Sequence, residues 1–243
     1  MGLRALLAVV EATYARDASV REQAERFYKD LYDYLNVEKD VLERRLTPGK
    51  NGVFSVMARA FTDVGPANLI VVFATSVGGR KGGTGKLGHM DAMVINALLA
   101  PGDLAHLQSR VQKNVVVHEM VHILDPGRRK GQMSAKAVER GDVAGYYNEP
   151  GEWNAYWQEG ASQLERMLRT LTNNAGLDPD SRSKALDFMF GDGSLRSLQG
   201  KVERFWDVDF LDAMDAKVRR KFDKRLAALW AALREQGMLR GAP

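Results

Sequence analysis

The stretch VVVHEMVHILD, residues 115–125, decides how this chain is read. Two histidines stand four positions apart, a glutamate follows the first, and three valines precede it. On an α-helix, positions i and i+4 share a face one turn apart, so His118 and His122 can direct ring nitrogens at a single ion. Glu119 lies beside that face. The competing reading is a core helix whose histidines only make hydrogen bonds. Chance seldom produces this arrangement in a chain with four histidines in all. The valines also put the imidazoles beside a dry core, where a polar ring is costly unless its nitrogens are engaged.

Zinc held by two neutral imidazoles needs a third protein ligand and an open position for water. Such a site lowers the pKa of the water to about 7, and Glu119 is placed to take its proton during attack on a carbonyl. The third ligand has to come from another segment. A metzincin-like HExxHxxGxxH would need glycine at 125 and histidine at 128, where this chain has Asp125 and Arg128, so that subclass is excluded. His106 is off the His118 stripe and about three turns up the same helix, and His89 ends a glycine-rich segment; neither is a good ligand.

The better source is YYNEPGEWNAYWQEG, residues 146–160. Asn148 suits an N-cap and Pro150 the first turn of a helix. Glu152 then emerges from the helix start, with Tyr156 and Glu159 following on the same face. Glu152 is favoured as ligand over Glu159, and Glu149 comes third, because a first turn can tuck against a neighbouring helix. The alternative role for Glu152 is the ordinary one of an acidic group complementing the helix dipole. A donor for the tetrahedral oxyanion is also required. Tyr146, Tyr147 and Tyr156 are close in sequence to the third ligand, and His89 sits in a loop that can close over a cleft. Tyr147 is preferred; packing is the competing role for each tyrosine.

HEMVH followed by PGEWNAY at 150–156 resembles the gluzincin pattern of zincin metallopeptidases, HExxH and then a helix bearing ExxA. The likeness covers roughly residues 68–160. Carried over position by position, it implies His118, His122 and Glu152 as zinc ligands and Glu119 as general base. It also implies that the strand at 91–99 is the antiparallel edge that holds an extended peptide. One departure stands out: thermolysin-like members carry Asp four residues after the ligand glutamate, and here that position is Tyr156. A partner orienting a ligand histidine must come from elsewhere, with Asp125 and Glu159 as candidates.

Around this centre the patterning predicts a short sheet among many helices. Residues 3 to about 46 read as helices, with Leu6, Val9, Val10 and Tyr14 on one face and Phe27, Leu31, Tyr34 and Leu35 on a later one. TPGKNG at 47–52 interrupts them. NLIVVFATS at 68–76 and DAMVINALL at 91–99 read as strands, the first buried on its β-branched content. Between them VGGRKGGTGKLG, residues 77–88, reads as a flexible connection. Its GxGxxG at Gly83, Gly85 and Gly88 precedes a strand rather than a helix, and its GTGK lacks the remaining phosphate-loop residues, so both nucleotide motifs are rejected. A helix from Pro101 and Asp103 to Pro126-Gly127 carries HEMVH, and residues 127–146 read as irregular. From Asn148 the chain reads as helical almost to its end, with breaks at 191–193 and 207–209 and a last helix over roughly 210–236.

The chain has 243 residues, 45% hydrophobic and 27% charged, as in ordinary globular proteins. It lacks cysteine, which excludes disulfides, thiolate zinc and a cysteine nucleophile. The run ALLAVV at 5–10 is short for a signal segment, and no apolar run spans a bilayer, so no membrane role and a cytoplasmic location are expected. The net charge of +4 and the clusters at 128–130 and 217–225 read as solvated faces, with nucleic-acid binding unlikely on that count. The expectation is an α+β, zincin-like chain, mostly helical with a small mixed sheet next to the HExxH helix. It forms one metallopeptidase-like domain over 1–243: N-terminal helices at 1–50, the zincin core at 51–160 and C-terminal helices at 161–243. The expected activity is zinc-dependent hydrolysis of a peptide or protein substrate. The alternative is a weak or inactive zincin fold that serves as a protein-binding or assembly module.

Overall fold

A computed structural model describes residues 3–37, 53–62, 65–74, 82–87, 90–96, 110–124, 141–174, 176–191 and 194–236. In chain order these form α1 (Leu3–Val37), β1 (Val53–Thr62), β2 (Gly65–Ala74), β3 (Gly82–Leu87), β4 (Met90–Asn96) and α2 (Arg110–Leu124). There follow α3 (Val143–Asn148), α4 (Pro150–Thr172), α5 (Pro179–Phe190), α6 (Leu195–Gln199), a 3-10 turn (Val202–Arg204), α7 (Val208–Asp212) and α8 (Ala216–Glu235). Among the described residues helix predominates and one sheet is present, in keeping with the coarse α+β reading. Packing divides the chain into two compact units, one of Ser19–Gly131 and one of Met1–Ala18 with Gln132–Pro243. Among the described residues no helix is long and apolar enough to cross a membrane.

In the unit Ser19–Gly131 the strands form one mixed sheet in the order β1-β2-β4-β3. β1 and β2 pair antiparallel from Val53↔Ala74 to Thr62↔Gly65. β2 and β4 run parallel, and β3 closes antiparallel on β4. Alternation sorts the faces: Leu69, Val71 and Met93 are buried, whereas Ser55 and Met57 are exposed opposite Val72 and Ile70. α2 packs against β3, β4 and β1. The second half of α1 buries Val20, Ala24 and Leu31 at helical spacing. Lys113 at the start of α2 pairs with Glu25 at 2.6 Å and stands 5.3 Å from the Tyr28 ring centre.

Two expectations change here. Half of the glycine-rich segment, Gly82–Leu87, is strand β3 rather than a flexible connection. Glycine weakens a strand locally, but the ladder is made of backbone groups, and Gly83↔Val94 and Gly85↔Ala92 supply it. Because β3 occupies one side of β4 and β2 the other, the strand expected as a peptide-holding edge is interior. Residues 38–52, 75–81, 88–89, 97–109 and 125–140 lie outside the described residues. The expected continuation of the N-terminal helices, the start of the HEMVH helix and the 128–130 cluster fall there.

The helical unit is organised by α4, whose Trp153, Trp157, Ala161, Leu164 and Leu168 form one apolar stripe. Against it lie Leu186 and Phe190 of α5, Leu198 of α6, Phe205 and Trp206 after the 3-10 turn, and Phe222, Leu226, Trp230 and Leu233 of α8. Capping side chains set the helix starts: Asp142, Glu149, Asp178, Ser194, Asp207 and Asp215 each accept a backbone N–H of the following turn. This corrects two readings. Residues 143–146, the end of the stretch expected to be irregular, belong to helix α3. The expected last helix over 210–236 is two, parted where Asp215 caps α8.

The basic stretch 217–225 is partly spent inside this unit. The Lys221 ammonium sits 3.8 Å from the Trp153 ring centre, and Arg225 lies 4.8 Å from that of Trp157. Arg225 also donates to Asn154 Oδ1 at 3.1 Å. Such cation–π contacts contribute about 0.5–2 kcal/mol each, depending on burial.

Gly160 is the tightest point of this core. A β-carbon there would stand 2.3 Å from Nε1 of Trp206, whose indole N–H donates to the Trp157 carbonyl at 3.2 Å. Alanine is the better helix former by about 1 kcal/mol. Overpacking costs about 1–3 kcal/mol and displaces that hydrogen bond as well. Gly160→Ala is therefore expected to lower stability by about 1–2 kcal/mol net. Urea denaturation checks this; an unchanged or raised midpoint would contradict it.

Candidate metal centre

α2 is buried almost throughout its described side chains. Val115, Val116, Val117, Met120, Val121, Ile123 and Leu124 are apolar and inaccessible. Four polar side chains interrupt them: Asn114, His118 and Glu119 are buried, and His122 is half-buried. The two imidazoles meet edge to face, with ring centres 5.1 Å apart and planes at 74°. Side chains of a helix lean toward its N-terminus, so the ring of His122 reaches back over the turn of His118. The pair expected from HEMVH is thus formed by one rigid element, and Glu119 follows on the same turn.

In the helical unit, Glu152 occupies the first turn of α4 and is buried at 9% exposure. The turn is built differently from expectation. Glu149, not Asn148, is the N-cap: its Oε2 accepts Gly151 N and Glu152 N, both at 3.1 Å. Its backbone is extended, as the residue before Pro150 prefers. Asn148 instead ends α3, and its Nδ2 donates to Ala144 O at 2.8 Å and Ala213 O at 2.7 Å. The cap engages one oxygen of Glu149, the third-ranked ligand candidate. Glu159, the second-ranked one, is half-buried two turns along α4 and accepts from Gln163 Nε2 at 3.5 Å.

Tyr147 lies in an aromatic cluster. Its ring centre is 5.3 Å from that of Tyr146, 4.9 Å from Tyr156 and 5.9 Å from Phe210. Burial, and then the Asp207 carboxylate, push the Tyr147 phenol above its ordinary pKa. Burial raises Tyr156 much further, with Tyr146 and Tyr147 adding to it. Both phenols keep their protons at neutral pH and remain donors. Packing, the competing role for Tyr147, is evident; it does not remove the hydroxyl's capacity to donate.

His89, His106, Asp125 and Arg128 lie outside the described residues. Asn114 stands four residues before His118, which puts it on the histidine stripe. The chain matches no protein-family model, no curated protein and no solved structure, so its chemistry is read from its own side chains.

Proposed function

We propose that this chain is a zinc-dependent peptidase of zincin type, with His118, His122 and Glu152 as ligands and Glu119 as general base. One observation carries the reading: on the buried helix α2 the His118 and His122 rings stand 5.1 Å apart with Glu119 on the same turn, and Glu152 enters the proposal as the carboxylate that completes the donor set. Two neutral imidazoles and a carboxylate are the donor set of hydrolytic zinc, and they leave a position open for water. The apolar walls of α2 suit that role, since a low-dielectric surrounding strengthens each ligand's hold on a cation.

When bound, zinc supplies a water of lowered pKa and polarises the carbonyl under attack. Glu119, buried beside His118, would take a proton from the attacking water on its carboxylate and pass it to the leaving amine. Tyr147, held protonated by burial, donates its hydroxyl to the developing oxyanion. The substrate backbone pairs along β3 rather than β4. β3 is an edge strand among the described residues and lies against α2, and an extended peptide adds to such an edge through main-chain hydrogen bonds.

The test is metal analysis of the purified full chain, alongside cleavage of a peptide library with and without chelator. About one zinc per chain and chelator-sensitive cleavage are expected. Zinc without any cleavage would favour the assembly-module alternative. No zinc uptake at saturating metal would overturn the metal centre itself.

A further inference from the structure

We infer that Asn114 is a positioning residue for His118, its carboxamide oxygen accepting the N–H of the imidazole nitrogen that faces away from the metal. The inference rests on the metal-centre reading above and assigns the means by which the first ligand ring is held.

Asn114, His118 and His122 form one stripe on α2 at successive i, i+4 steps. Because helical side chains lean toward the N-terminus, the His118 ring lies over the turn that Asn114 begins, as His122 lies over that of His118. The 5.1 Å separation of the two rings demonstrates that neighbours on this stripe meet. Burial adds a second argument. Asn114 is 9% exposed and His118 7%, on a helix whose other buried residues are apolar apart from Glu119. A carboxamide in such surroundings requires hydrogen-bonding partners, and an apolar residue would fill the same space without that need. Chemistry adds a third. A neutral imidazole that gives one nitrogen to a metal carries a proton on the other, and an acceptor there fixes both tautomer and ring orientation. The Asp that thermolysin-like chains carry four residues after the ligand glutamate is Tyr156 here. α2 itself offers an acceptor one turn before the first ligand.

The test compares wild type with Asn114→Leu, which removes the acceptor, and Asn114→Asp, which keeps one. Zinc affinity of the full chain is read by competition with a chromogenic chelator, and imidazole ¹⁵N shifts of the metal-free protein read the His118 tautomer. Asn114→Leu is expected to weaken zinc binding about 10–100-fold and to mix the tautomers, while Asn114→Asp restores both. If Asn114→Leu does not fold, Asn114→Ala makes the same comparison without added bulk. A purely structural asparagine would lower metal-free stability but leave tautomer and zinc affinity as in wild type; that result overturns the inference, as does an Asp variant no better than the Leu one. Wild type that takes up no zinc overturns the metal centre; wild type and Asn114→Leu binding equally overturn this assignment alone.

Discussion

Replacing Glu119 with glutamine is expected to lower kcat/KM for peptide hydrolysis by about 10²–10⁴-fold while leaving zinc content at the wild-type level. The carboxamide matches the carboxylate in shape, so the packing of α2 is preserved. It cannot accept the proton of the attacking water, which makes the loss one of transition-state stabilisation. The result should appear in kcat with little change in KM. Glu119 is buried at 8% exposure, so glutamine also relieves some desolvation, and the variant should be no less stable than the parent. Steady-state kinetics with metal quantified on the same samples reads both halves. A zinc-replete Glu119→Gln enzyme retaining a tenth or more of wild-type activity would refute the mechanism.

The second large effect concerns the ligands. His118→Ala removes one of three donors and leaves a void in a dry helix face, so zinc affinity is expected to fall at least 10³-fold and hydrolysis to vanish with it. Linkage makes the loss visible without a substrate. A ligand at about 1,000 times its Kd stabilises the folded state by about 4 kcal/mol. Wild type titrated with zinc should therefore show a raised Tm, and His118→Ala should show at most about a tenth of that stabilisation at the same metal concentration. Glu152→Gln, which keeps the shape of the carboxylate, should also lose the shift. Equal zinc-induced shifts in wild type and Glu152→Gln would remove Glu152 from the ligand set and leave the histidine pair to be completed by another group.

Where the sequence was legible, local pattern and tertiary structure agreed. The valines ahead of HEMVH announced a buried helix, and the β-branched run around Leu69 and Val71 announced a buried strand. Where it misled, distant groups had overruled local preference. Asn148 looks like a cap, but its carboxamide is drawn to the Ala213 carbonyl, 65 positions away, and Glu149 takes the capping role. The glycines of β3 argue against a strand until β4 presents a ladder to them. The spacing of Phe210, Met214, Val218 and Phe222 runs through the break at Asp215 without a change of period, which hid the junction of α7 and α8. Within the candidate site, the histidine pair and Glu119 followed from spacing alone. Among Glu149, Glu152 and Glu159 the sequence left the candidate third ligand open, and their burial, which no local pattern reports, differs. Asn114 carried only the signal of its place on the stripe.

All four tryptophans of the chain, Trp153, Trp157, Trp206 and Trp230, belong to the core of the helical unit. The indoles of Trp153 and Trp157 lie nearly parallel at 7°, and those of Trp157 and Trp206 are 5.3 Å apart between centres. Indole emission is therefore a report on one half of the molecule. An unfolding curve recorded at tryptophan wavelengths follows α4 and its neighbours and is silent about the sheet. Tyr28, Tyr32 and Tyr34 of α1, the first two stacked on each other, belong to the other unit and offer an optical handle there.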